Sequence, residues 1–133
     1  MRRVFADTFY FLALLNKNDA DHEKAVRWSK SYRGQVLTTE WVLTELADGL
    51  ATSRGRIAFS KTREKMLAEP AYQIKPLDME LYQQGIDMYA ARVDKQWSLT
   101  DCISFIVMQR EGLTEATTGD HHFEQAGFVA LLK

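Results

Sequence analysis

Four acidic side chains stand where chemistry would need them: Asp7, Glu45, Asp101 and Asp120. Asp7 ends the short apolar run Val4-Phe5-Ala6. Glu45 lies in the amphipathic stretch LTELADGL, beside its apolar stripe. Asp101 opens the apolar run in SLTDCISFIVMQREG, and Asp120 follows a strand-like segment in EATTGDHHF. Carboxylates brought to one point repel, and one of them is pushed toward its neutral form. A bound divalent cation relieves that repulsion, and hard oxygen ligands suit Mg²⁺ and Mn²⁺. The pattern therefore implies metal-dependent chemistry, with phosphate esters as the expected class of substrate.

Each acid also has an innocent reading. Asp7 and Asp120 are placed to cap helices, and Ser98-x-x-Asp101 is close to a capping box. Glu45 reads equally as an edge residue of an amphipathic helix. The balance shifts when the acids are taken together, because Asp7 and Asp120 directly follow expected strands. Ligand sites of open α/β sheets form beyond the carboxyl ends of the strands. A capping carboxylate can also hold a metal, since the backbone at a helix start is already fixed.

The elements that must carry these acids alternate along the chain. Strands are expected at 2–6, 35–38, 71–75, 114–118 and 128–132. Helices are expected at 8–16, 21–32, 39–52, 56–68, 78–93, 98–110 and 120–125. Leu43, Leu46, Ala47 and Leu50 form one stripe of the third helix, and Gly55 marks a break or bend after it. Asp78 caps the fifth, with Glu80 in its first turn. Gly112 closes the sixth. Strands alternating with helices imply a parallel α/β sheet covered on both faces. No repeat or linker interrupts the pattern, so residues 1–133 are expected to form one domain.

Composition narrows the function classes. With 46% hydrophobic and 26% charged residues and only two prolines, disorder is excluded. The single cysteine, Cys102, rules out an internal disulfide and sits in an apolar helical run as a small core residue. The Arg2-Arg3 pair before FYFLALL resembles the start of a signal peptide. Asp7 interrupts the apolar run, however, and no small-residue cleavage site follows. No segment approaches the roughly 20 apolar residues of a membrane span. A cytoplasmic location without membrane association is the expectation.

The formal net charge of −1 includes the four acids, so the rest of the chain is net positive. Between residues 54 and 65, Arg54, Arg56, Lys61, Arg63 and Lys65 face only Glu64. That run is a candidate phosphate-contacting surface; a solvated helix face is the plain alternative. His121-His122 suggests zinc, but adjacent helical residues point roughly 100° apart, and no further ligand set accompanies them. A structural or surface role is expected for both. Trp28, Trp41 and Trp97 are read as packing residues.

The runs VFADTFYFLALLN, TELADGL, SLTDCISFIVMQREG and ATTGDHHFEQAGF together resemble the PIN-domain nucleases, in particular the toxin subunits called VapC. The likeness covers the whole chain, and its third and fourth motifs carry most of the specificity. It implies a three-layer α/β/α sandwich with a mostly parallel central sheet. It also implies Mg²⁺ or Mn²⁺, hydrolysis of RNA phosphodiesters by metal-activated water, and the toxin half of a toxin–antitoxin pair. On this likeness Asp7, Glu45, Asp101 and Asp120 fall on the family's acidic quartet, and Thr118 on a Ser/Thr position that hydrogen-bonds within the site. Arg54, Arg56, Lys61 and Arg63 are then the expected RNA contacts. An antitoxin and a second copy of the chain are the expected protein partners.

Three rivals remain at this level. A haloacid-dehalogenase-type Mg²⁺ phosphatase needs Asp-x-Asp after the first strand, and Phe9 occupies the second position. A receiver domain needs paired acids near the first strand. A non-catalytic PIN-fold RNA-binding or scaffold protein would lack divalent-dependent cleavage.

Overall fold

The computed structural model describes all residues 1–133. In chain order the strands are β1 (Arg3–Ala6), β2 (Gln35–Thr39), β3 (Tyr72–Lys75), β4 (Glu115–Thr117) and β5 (Val129–Ala130). The helices are α1 (Thr8–Leu15), α2 (His22–Ser31), α3 (Glu40–Gly49), α4 (Ser53–Ala68), α5 (Met79–Ala91), α6 (Leu99–Glu111) and α7 (His121–Gln125). Every strand pair is parallel, in the order β3-β2-β1-β4-β5.

That order has a functional consequence. The chain moves outward from β1 through β2 to β3, then returns to place β4 on the other side of β1. The strand order therefore reverses between β1 and β4, which is where open α/β sheets form their crevice. Phe5 and Ala6 pair with Ala116 and Thr117, so the segments after both strands emerge side by side. They begin with Asp7 and Thr118.

Successive strand residues face opposite sides of a sheet. Val4, Phe5 and Ala6 are all wholly buried, so helices must cover both faces, as a fully parallel sheet requires. On the helical side α1 packs on α2 and α3, and α5 packs on α6. In α6 every residue from Asp101 to Met108 is buried. A helix apolar all round belongs in the interior, and here the interior helix carries a carboxylate. Cys102 is a buried free thiol, as expected of a small core residue.

Two glycines set backbone distances. A Cβ on Gly85 of α5 would collide with Ile103 of α6, so glycine lets the two helices approach. Gly85→Ala gains about 1 kcal/mol of helix propensity but overpacks a filled interior at about 1–3 kcal/mol. A net loss of up to about 2 kcal/mol in chemical denaturation is expected, and a variant more stable than wild type would refute the close-packing account. Gly55 is a correction to the sequence expectation. The chain breaks at Leu50–Thr52, and Gly55 lies inside the first turn of α4, where a Cβ would meet the Leu50 carbonyl oxygen at 2.5 Å. Glycine here is required by the tight bend before it, not by an interruption of its own helix. The last strand is shorter than the expected 128–132, although Leu131 and Leu132 still donate to Ala116 and Thr118 carbonyls. No helix is long and apolar enough to cross a membrane.

Candidate active site

Asp7 is the last residue before α1, and its side chain makes no capping bond. It is only 3% exposed. A buried carboxylate at an N-cap position that does not cap needs another partner. Thr118 Oγ1 donates to Asp7 Oδ2 at 2.9 Å and accepts from the Asp120 backbone N–H at 3.1 Å. One hydroxyl therefore ties the end of β1 to the turn after β4. Thr38 Oγ1 donates to the Ala6 carbonyl at 2.9 Å, holding the end of β1 from its other neighbour.

Asp101 sits in a full capping box. Its N–H donates to Ser98 Oγ at 3.0 Å, and its Oδ2 accepts from the Ser98 N–H at 3.1 Å. The innocent reading of this residue is thus correct as geometry, and it leaves the carboxylate facing the cavity. Asp120 caps α7 by accepting from the His122 N–H at 2.9 Å. Glu45 reaches the same place, half-buried, from the second turn of α3.

All four carboxylates line one cavity of about 480 Å³, together with Thr8 and His122. No lysine or arginine lines it. The electrostatic result is plain. Burial, then repulsion from Asp101, raises the Asp7 carboxyl from 3.8 to about 7, against the opposing Thr118 bond. Burial also raises Asp101, with Asp120 adding repulsion and the Ser98 amide and His122 opposing. Burial raises Glu45 too, with Asp101 and Asp120 adding to it.

The donor set suits a hard divalent cation: four carboxylates from four separate elements, with no thiolate. Thr8 Oγ1 is a further sign. It is buried at the cavity wall, close enough to the Glu45 carboxylate to favour its charged form, and so adds a neutral oxygen to the same wall. The residues present therefore fit a divalent metal. Asp120, His121 and His122 also offer ligand atoms within 4.8 Å of one another. They are successive residues in one turn, and His121 is exposed. The buried carboxylates have the greater need of a cation, because water cannot screen them.

The histidine pair divides between the surface and structural roles expected of it. His121 points outward, but His122 turns into the cavity, with Nδ1 3.0 Å from Asp101 Oδ2 and 3.4 Å from Asp120 Oδ1. The signal available in the sequence was its place two residues after an acid that caps a short helix. The expected RNA contacts lie elsewhere. None of Arg54, Arg56, Lys61 and Arg63 lines the cavity. Arg63 is paired with Glu40 at 2.6 Å, and Arg56 Nε donates to the Ala51 carbonyl at 2.9 Å.

A parallel sheet with an acidic crevice where its strand order reverses is shared by several Mg²⁺-binding classes, and the PIN-domain profile, which matches residues 4–129, distinguishes among them. The chain belongs to the PIN-domain family. It is 29% identical over 129 residues, 95% of each chain, to the 23S rRNA-specific endonuclease VapC20 of Mycobacterium tuberculosis. The crystal structure of that protein, described as a sarcin–ricin loop cleaving toxin, superposes with a TM-score of 0.87 and 28% identity over 96% of this chain and 98% of its own. FitAcB from Neisseria gonorrhoeae shares the fold, with a TM-score of 0.64 and 22% identity over 96% and 94% of the two chains. The expected fold and the expected nuclease activity both stand on this kinship.

Proposed function

We propose that this chain, an endoribonuclease of the VapC toxin type, works with Mg²⁺ or Mn²⁺ held by Asp7, Glu45, Asp101 and Asp120. The observation that carries the assignment is the convergence of four carboxylates on a cavity with no lysine or arginine. When bound, the metal lowers the pKa of an attacking water and stabilises the leaving oxygen. The chain's own part is positional. Thr118 aims Asp7, the Ser98 box fixes Asp101, and His122 braces Asp101 against Asp120. Cys102 is wholly buried and the Ser98 hydroxyl is engaged in its cap, so neither is placed to attack, and a water is the attacking group in this reading.

The substrate we infer is a structured loop of large-subunit ribosomal RNA. Identity near 30% across 95% of both chains and superposition at a TM-score of 0.87 support it. The test is cleavage of a synthetic sarcin–ricin hairpin with Mn²⁺ and with EDTA. One cut, abolished by EDTA, is expected. Cleavage undiminished by EDTA would refute metal dependence, and an intact hairpin beside other cut RNAs would refute the substrate.

Arg54, Arg56, Lys61 and Arg63 are proposed to hold the RNA backbone outside the acidic cavity. Arg54 and Lys61 are exposed and seven residues apart, so they share one face of α4. Replacing both with Gln should weaken RNA binding and reduce its log–log salt slope by roughly 2, without moving the cut. An unchanged slope would assign this face to a protein instead. For protein partners, an antitoxin and a second copy of the chain, the candidate surface is the exposed Leu77 and Met79 beside Trp41 and Tyr82.

A further inference from the structure

The acidic cavity adjoins a second one of about 650 Å³, and Gln96 and Ser98 line both. The second supplies what the first lacks. Arg92 and Lys95 are on its wall, with Tyr89 one helical turn before Arg92. The Arg92 guanidinium lies over the Trp97 indole, 4.8 Å from the ring centroid. Two hydrogen bonds of 3.0 Å to Asp94 hold it there. Trp97 is itself fixed, donating from Nε1 to Gln125 Oε1 at 3.0 Å and meeting Phe105 edge-on at 5.0 Å. Arg92 and Tyr89 are exposed above this buried base. This guanidinium is packed on a buried indole and held at its edge by Asp94.

We propose that this groove is a nucleotide subsite, in which an unpaired base beside the scissile phosphate stacks on the Arg92–Trp97 layer and Tyr89 while Lys95 meets a backbone phosphate. The inference rests on the reading of the chain as a ribonuclease. Unpaired bases are recognised by stacking on aromatic rings and guanidinium planes. The order imposed by Asp94 and Trp97 lowers the entropy lost when the base arrives. The volume suits a ligand of nucleotide size. The shared rim places such a base next to the carboxylates, and its phosphates beside cations that the acidic cavity does not contain.

The test uses a short RNA that the wild type cuts at one position, and variants of it with an abasic nucleotide at each flanking site. For the wild type, one abasic position should lower kcat/KM roughly 10- to 100-fold, the scale of one base–aromatic stack. For Arg92→Ala the intact RNA should already be that slow, chiefly through KM, and the same abasic change should add nothing. Arg92→Lys keeps the charge but not the plane and should stay impaired; full rescue by lysine would overturn the stacking assignment. Tyr89→Ala provides a second, independent variant on the same criterion. A wild type that cuts no RNA with metal present would sink the nuclease reading and the subsite together. A wild type that cuts, with abasic penalties identical in the variants, would overturn the subsite alone and leave the groove to a protein partner.

Discussion

Asp7→Asn and Asp101→Asn should each lower the rate of RNA cleavage by roughly 10³-fold or more, the effect of losing several kcal/mol of metal-assisted stabilisation. Asparagine keeps the size and one acceptor oxygen, so the Thr118 bond to position 7 and the Ser98 bond to position 101 have a partner in either variant. What is lost is the negative charge that draws the cation. Glu23→Gln and Glu69→Gln remove exposed acids outside the cavity and should leave the rate within about twofold, as surface changes usually do. Single-turnover cleavage of one RNA by all five proteins provides the comparison. A near-wild-type rate in either aspartate variant would displace the site from this cavity.

The second large effect is on stability, and its sign is opposite to intuition. Asp7 titrates near 7 in the fold against 3.8 ordinarily. Between those values the metal-free native state holds a proton that the unfolded chain has released. Metal-free stability therefore falls as pH rises from about 4 to about 7, and is flat above. Asp101 and Glu45 are raised as well and act in the same direction. Glu111 is lowered, first by its Arg3 partner, so its contribution is lost only at acid pH, below that window. For Asp7 the shift sets an upper limit of roughly 4 kcal/mol. Metal-free protein should thus melt higher at pH 5.5 than at pH 8. Asp7→Asn should melt higher than wild type at pH 8, even as it loses activity. Excess Mn²⁺ should remove the pH 8 deficit in wild type, by binding only the folded state, and do much less for the variant. A metal-free melting point that rises from pH 5.5 to pH 8 would contradict the electrostatic account.

These effects were partly readable in the chain. Asp7 stood after an apolar run and Asp120 after a short strand-like segment, and a parallel sheet puts such positions at one edge. The Ser98-x-x-Asp101 spacing announced its capping box. Strand order was not readable, because nothing local in 3–6 or 115–117 states that β1 and β4 are neighbours; that pairing is a tertiary outcome. Glu45 showed only as an acid beside an apolar stripe, since periodicity gives a face and not what the face meets. His122 was obscured by its neighbour, because two adjacent histidines read alike until a helix turns one inward. The Arg92–Trp97 layer depends on a turn at Asp94 whose bidentate grip no spacing rule encodes. Gly55 misled because a glycine beside a bend and a glycine inside one look the same in sequence.

The central claim is that the four carboxylates form one divalent-cation site that performs the cleavage. Its most direct test is Mn²⁺ titration followed by the electron paramagnetic resonance of free Mn²⁺, on wild type, Asp7→Asn and Asp101→Asn at pH 8. Wild type should bind Mn²⁺ in the concentration range that supports cleavage, and each variant should lose that binding while remaining folded. Equal Mn²⁺ uptake by wild type and both variants would contradict the account.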